Sequence, residues 1–110
     1  MLFRSVSKLY LNKTDELTMP EAIALEWYVG TDLMVIENNH VQFHAGFLSQ
    51  EHWQRNLDEL RCYFTVPLFR EIARNWVFRE SFKRTILDVM REIPDDEPNC
   101  WAVGWDYPMQ

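Results

Sequence analysis

The amino-acid sequence predicts a single-domain α+β protein in which three to four helices pack mainly on one face of a small antiparallel β-sheet. Three patterns predict this fold: a capped helix near the start of the chain, a central β-hairpin, and an alternating segment near the end. The resulting order, β-α-β-β-α-α-α-β, is typical of a sheet covered by helices. The length is that of one domain, so residues 1–110 are expected to form a single globular unit.

The N-terminal part combines an ambiguous segment with a capped helix. Residues 2–11 fit the apolar spacing of a strand and of a helix about equally, and a strand is the interpretation adopted. Thr18 is a favourable N-cap residue, and Glu21 three positions later completes a capping box. Because glycine commonly ends helices, this helix is predicted to stop at Gly30. Its apolar residues occupy most of the circumference, which predicts a largely buried helix.

A β-hairpin is predicted over residues 32–45. The apolar run 33–36 and the β-prone run 41–44 flank the pair Asn38-Asn39. Asparagine tolerates the positive φ angles that a two-residue hairpin turn requires. This hairpin is expected to form the centre of the sheet.

Helical patterns dominate the second half of the chain. Ser49 can cap a helix whose apolar residues recur at spacings of four, three and four, namely Trp53, Leu57, Leu60 and Phe64. This face is predicted to pack on the sheet, with a helix–helix contact as the alternative. A second helical stretch runs from Pro67 to Ile93, but its two apolar sets point about 80° apart on a straight helix. A kink or a short break is therefore predicted near residues 77–80, which gives two helices at an angle.

The C-terminal segment shows the clearest strand pattern. A turn over residues 95–99 precedes residues 100–107, in which Trp101, Val103, Trp105 and Tyr107 share one face. A strand of this kind at a sheet edge can pair with a second copy of the chain. The sequence therefore predicts a homodimer formed through this strand. The alternative is that its aromatic face packs in the core against Trp53, Leu57 and Leu60.

Charge and cysteine content restrict the possible partners and the compartment. The chain has 11 basic and 17 acidic residues, a net charge of −6, which disfavours nucleic acid and favours a basic protein partner. Its apolar runs are too short to span a bilayer, and Arg4 and Lys8 interrupt the apolar core that a signal peptide needs. Cys62 and Cys100 are interpreted as reduced, buried thiols, which indicates the cytoplasm.

The leading functional hypothesis is a small acidic binding protein without enzymatic activity. No phosphate-binding glycine loop or nucleophile motif is present, and no cofactor is predicted. Such a protein would act as an inhibitor, antitoxin or immunity-type factor by occupying a basic surface on another protein. Its candidate binding residues are an acidic turn and the C-terminal aromatic residues, namely Asp95, Asp96, Glu97, Trp101, Trp105 and Tyr107.

The alternative hypothesis is a small-molecule-binding domain or a minor enzyme. Its pocket would have an aromatic lining that includes Trp27 and Trp76, and its polar groups would be Glu37, His40 and His44. On a regular strand the two histidines would lie about 13 Å apart, too far to bind one ion. No metal site is therefore predicted.

Overall fold

The computed structural model describes residues 16–100, and all the regular secondary structure in this range is helical. Four α-helices follow one another: α1 (Met19–His44), α2 (Gln50–Tyr63), α3 (Pro67–Asn75) and α4 (Glu80–Arg91). Helix α1 packs against α2 and α3, and α2 packs against α4. The predicted α+β fold with an antiparallel sheet is therefore wrong. The strand predicted over residues 2–11, and that over 100–107 except for Cys100, lie outside the described residues.

Helix α1 begins where the sequence predicts but is much longer. The backbone N–H of Glu21 donates to Thr18 Oγ1 at 3.3 Å, and that of Thr18 donates to Glu21 Oε1 at 2.9 Å. This geometry confirms the capping box. The predicted end at Gly30 is wrong, because the helix continues for 14 residues to His44. The chain turns just afterwards at Gly46, whose φ of 85° is accessible mainly to glycine.

The predicted hairpin over residues 32–45 is also wrong, because these residues continue α1 up to His44. The physical reason is a stripe of buried residues at helical spacings of four, four, three and four, namely Leu25, Val29, Leu33, Ile36 and His40. Asn38 lies exposed on the helix surface. Asn39 Nδ2 donates to Oδ1 of the buried Asn56 at 3.1 Å, so it links α1 to α2.

Helix α2 carries the predicted cap and apolar face. The backbone N–H of His52 donates to Ser49 Oγ at 3.1 Å, which confirms Ser49 as the N-cap. Trp53, Leu60 and Phe64 are buried in the core. Their face packs among helices, so the alternative of a helix–helix contact is correct and the predicted packing on a sheet is wrong.

The predicted break in the last helical stretch is confirmed. Helix α3 ends at Asn75 and α4 begins at Glu80. Lys83 of α4 stabilises the junction, because its Nζ donates to the carbonyl oxygens of Ala73, Arg74 and Trp76 at 2.8, 2.7 and 3.2 Å. The end of α3 is thus capped by a side chain from the next helix.

The two cysteines are joined rather than reduced. Cys62 at the end of α2 forms a disulfide with Cys100, 38 residues later. The chain returns to α2 through a turn in which the backbone N–H of Glu97 donates to the carbonyl of Pro94 at 3.1 Å. This turn confirms the one predicted for residues 95–99. The expected free thiols are therefore wrong, since distance along the sequence did not reflect distance in the fold.

Candidate functional site

Helix α1 presents an unusual apolar surface to solvent. Six of the eight exposed large apolar residues in residues 16–100 lie on it, namely Met19, Ile23, Trp27, Tyr28, Met34 and Val35. At 3.6 residues per turn they fall within an arc of about 180°, opposite the buried stripe. We call these six residues the α1 face. Large apolar side chains gathered on one exposed side of a helix can mark an interaction site.

The charged side chains that helix α1 places around the α1 face are all acidic. Helix α1 contains no lysine or arginine, whereas Glu26, Asp32 and Glu37 lie along it. Glu26 is exposed, and Asp32 and Glu37 are half-buried. An apolar surface flanked by carboxylates attracts a partner that is both apolar and basic.

A shallow pocket of about 400 Å³ lies within the α1 face. It is lined by Trp27, Tyr28, Thr31, Asp32 and Val35. The aromatic rings offer π-faces and the carboxylate offers a negative charge. These are the two groups that recognise a lysine or arginine side chain.

The carboxylate of Asp32 is held by a hydroxyl from α2. Tyr63 donates a hydrogen bond to Asp32 Oδ2. Burial, followed by this bond, raises the pKa of Tyr63 well above its ordinary value, so the hydroxyl stays protonated and remains a donor. A carboxylate can accept several hydrogen bonds, so Asp32 keeps capacity for a cation.

A second carboxylate lies near Asp32. Partial burial, followed by the negative charge of Asp32, raises the pKa of Glu59 above its ordinary value. Like charges held close together favour a bound cation, because the cation relieves their repulsion. Asp32 in the pocket and Glu59 beside it therefore give this part of the surface a negative charge.

The structure separates the residues of the sequence-predicted pocket into different places. Trp27 and Trp76 meet edge to face, with ring centroids 5.6 Å apart. His40 and His44 lie roughly 20–25 Å further along α1 than Trp27, at 1.5 Å per residue. Glu37 lies between, and its Oε2 accepts a hydrogen bond from the backbone N–H of Arg79 at 2.6 Å. The two tryptophans and the two histidines thus do not line one common pocket.

His40 and His44 form a compact pair at the end of α1. Their Nε2 atoms are 3.1 Å apart, so the 13 Å expected for a strand is wrong. His40 is 5% exposed, and its ring lies against Trp53 and Phe82 at centroid distances of 5.2 and 5.6 Å. Burial, and then the nearby His44, lower the pKa of His40. Across residues 16–100, no three histidine, cysteine, aspartate or glutamate side chains cluster as a metal site.

The acidic turn lies where the sequence places it. Asp95, Asp96 and Glu97 are exposed, and Asp95 pairs with Arg70 at 3.5 Å. Glu97 borders a groove of about 340 Å³ beside the disulfide, together with Arg61. Trp101, Trp105 and Tyr107 lie outside the described residues, so the structure does not connect them to this turn.

Sequence reasoning missed the α1 face, apart from Trp27. The signal is the apolar circumference of the helix, which predicts a largely buried helix, whereas about half of the circumference is exposed. The absence of basic residues along the helix was a second signal. Together, the apolar circumference and the lack of basic residues indicate a surface that is both apolar and acidic.

None of the helices in the described range combines the length and apolarity that a membrane crossing requires. No family model matches the chain, and neither the curated proteins nor the solved structures include a significant match.

Proposed function

We propose that this protein is a non-enzymatic binding protein that docks a basic amphipathic helix of a partner protein on the α1 face. The observation that carries the proposal is the exposed apolar half of α1, with Trp27 64% exposed and with carboxylates but no basic residue on the helix. The apolar side of the partner helix would cover the α1 face. Its lysine or arginine side chains would reach Asp32 and Glu26.

The composition of the α1 face supports a specific interface. Its six large apolar side chains are between 41% and 74% exposed, so a partner that covers them removes apolar surface from water. Tryptophan and tyrosine are enriched among residues that dominate binding energy. Trp27 and Tyr28 are therefore the expected anchors.

Charge favours a basic partner over a second copy of this chain. In a pairing of two α1 faces, the carboxylates of Glu26, Asp32 and Glu37 would meet the same carboxylates of the other copy. Like charges at an interface are costly, whereas a basic helix neutralises them. The homodimer predicted from the C-terminal strand remains a prediction.

By covering a basic surface of its partner, such a protein would act as an inhibitor, antitoxin or immunity-type factor. The acidic turn of Asp95, Asp96 and Glu97 would add to the attraction, because exposed charges mainly accelerate association. This role stays within the class of function that the sequence predicts.

The cytoplasmic location also remains a prediction, but its premise that the two cysteines are reduced is wrong. Cytosolic reductants keep thiols reduced, so the Cys62–Cys100 disulfide favours an oxidising compartment. Alkylation of free thiols in intact source cells, followed by mass measurement, distinguishes the two locations. Two alkylated cysteines indicate the cytoplasm, and none indicates an oxidising compartment.

The binding proposal can be tested with designed peptides. The probe is an amphipathic peptide of about 18 residues, long enough to form a helix, with leucine on one side and lysine on the other. A scrambled peptide of the same composition and a glutamate-for-lysine version serve as controls. Fluorescence anisotropy measures the affinity at low and high salt. We expect the basic helix to bind best, and more weakly as salt rises.

Variants of the protein then locate the surface. Trp27→Ala should weaken binding at least tenfold, because it removes an expected anchor. Phe47→Ala is the matched control, since Phe47 is 80% exposed but lies outside α1. Equal effects of both substitutions, or equal binding of the scrambled peptide, would overturn the proposal. A dimer that Trp27→Ala dissociates would show that a second copy occupies the face instead.

A further inference from the structure

His40 and His44 lie one helical turn apart with their Nε2 atoms 3.1 Å from each other. Bonds from imidazole nitrogen to zinc are about 2.0–2.1 Å long, so two nitrogens at this separation subtend an angle of about 100° at one ion. That angle lies between those of square-planar and tetrahedral coordination. We infer that His40 and His44 form a two-histidine site for a divalent ion of a late transition metal, such as Cu²⁺, Ni²⁺ or Zn²⁺.

One ligand of this site is already held in place. The His40 ring is buried against Trp53 and Phe82, so its orientation is restricted before an ion arrives. His44 is exposed and gives the ion a route from solvent. A site with one fixed and one accessible ligand loses little conformational entropy on binding.

A nearby hydroxyl suits a water molecule that would complete the coordination shell. Thr85 Oγ1 lies 3.4 Å from His40 Nε2, close enough to form a hydrogen bond with a water on the ion. The negative charge of Glu37 favours a positive charge at His40. Imidazole ligands suit copper, nickel and zinc better than magnesium or calcium.

When both imidazoles are neutral, binding shifts one proton within the pair and releases none. In the metal-free pair, one Nε2 carries the hydrogen and the other accepts it. When both Nε2 lone pairs bind the ion, that hydrogen moves to Nδ1 of the same ring. The metal keeps its oxidation state.

With two protein ligands, the site should bind exchangeably rather than as a structural zinc. It does not rest on the proposed binding function, because neither histidine belongs to the α1 face. Loss of peptide binding would leave the metal site intact, and loss of metal binding would leave the α1 face intact.

The test uses the full, oxidised chain and adds Cu²⁺ or Ni²⁺ alone. Isothermal titration should give one ion per chain, and electron paramagnetic resonance of the Cu²⁺ form should show coupling to two nitrogens. His44→Gln should lower the affinity at least tenfold. His52→Gln is the matched control, because His52 is exposed and outside the pair.

Circular dichroism of His44→Gln should match that of the original chain, since His44 is exposed. This measurement separates loss of a ligand from loss of folding. Equal affinity of His44→Gln and the original chain would overturn the inference. Absence of binding by the original chain at millimolar Cu²⁺ and Ni²⁺ would overturn it as well.

Discussion

The indole of Trp76 lies directly on the backbone of Gly30, where an added Cβ atom would be 2.5 Å from the ring carbons Cη2 and Cζ2. Trp76 is the C-cap residue of α3, so this contact packs the end of α3 against the middle of α1. The same indole meets Trp27 of the α1 face edge to face. Gly30 therefore serves close packing between helices rather than helix termination.

Gly30→Ala should destabilise the protein, although alanine is the better helix former by about 1 kcal/mol. Displacement of the Trp76 ring should cost roughly 1–3 kcal/mol and exceed this gain, for a net loss of up to roughly 2 kcal/mol in the free energy of unfolding. Urea denaturation measures the loss. In a Trp76→Ala background the same substitution should become stabilising, and a stabilising effect in the original chain would contradict the explanation.

Lys83→Met should lower the free energy of unfolding by roughly 1–3 kcal/mol, because three carbonyl oxygens near the end of α3 lose a charged donor. Methionine keeps much of the apolar length of the side chain. Arg84→Met is the control, since Arg84 is exposed on the same helix and should change stability little. Equal effects in urea denaturation would argue against the capping role.

Reduction of the Cys62–Cys100 disulfide should lower the free energy of unfolding by roughly 2–4 kcal/mol, as expected for a bridge that closes a loop of this length. Denaturation with and without reductant measures the difference. The double variant Cys62→Ser/Cys100→Ser should have the lower stability and should not respond to reductant. Two reactive thiols in the purified, air-oxidised protein would contradict the bridge.

Glu59→Gln should stabilise the protein at neutral pH by a few tenths of a kcal/mol. Partial burial and the charge of Asp32 raise the pKa of Glu59 in the folded state, so ionisation disfavours folding. This penalty is present above the folded-state pKa and disappears below the unfolded-state pKa of about 4.3. The gain should therefore be seen in urea denaturation at pH 7 and be absent at pH 3.

Glu51→Gln is the control for this pH effect. Glu51 pairs with Arg55 at 3.3 Å on an exposed part of α2. Its neutralisation should slightly lower stability at pH 7 or leave it unchanged, because exposed ion pairs contribute little. A stabilisation equal to that of Glu59→Gln would show a general effect of making the net charge less negative.

Several local features could be predicted from the sequence because they depend on residues a few positions apart. The caps at Thr18 and Ser49 are short-range hydrogen bonds. The break between α3 and α4 follows from two apolar sets that one straight helix cannot bury together. The turn after Pro94 likewise depends on adjacent residues.

The remaining features depend on contacts between distant segments. Gly30 is compatible with a helix end and with a helix interior, and only the packing of Trp76 against it decides between them. Asn38 and Asn39 are compatible with a turn, but burial of the apolar stripe of α1 stabilises a helix that continues past them. Cys62 and Cys100 meet only because the chain folds back along α2.

The candidate sites follow the same division. The acidic turn was visible in the sequence, since its residues are consecutive. The histidine pair required the correct secondary structure, because a helix brings His40 and His44 to 3.1 Å while a strand would hold them apart. The α1 face required the whole fold: a helix that is apolar all round does not reveal which half its neighbours bury, and α2 and α3 cover only one side of it.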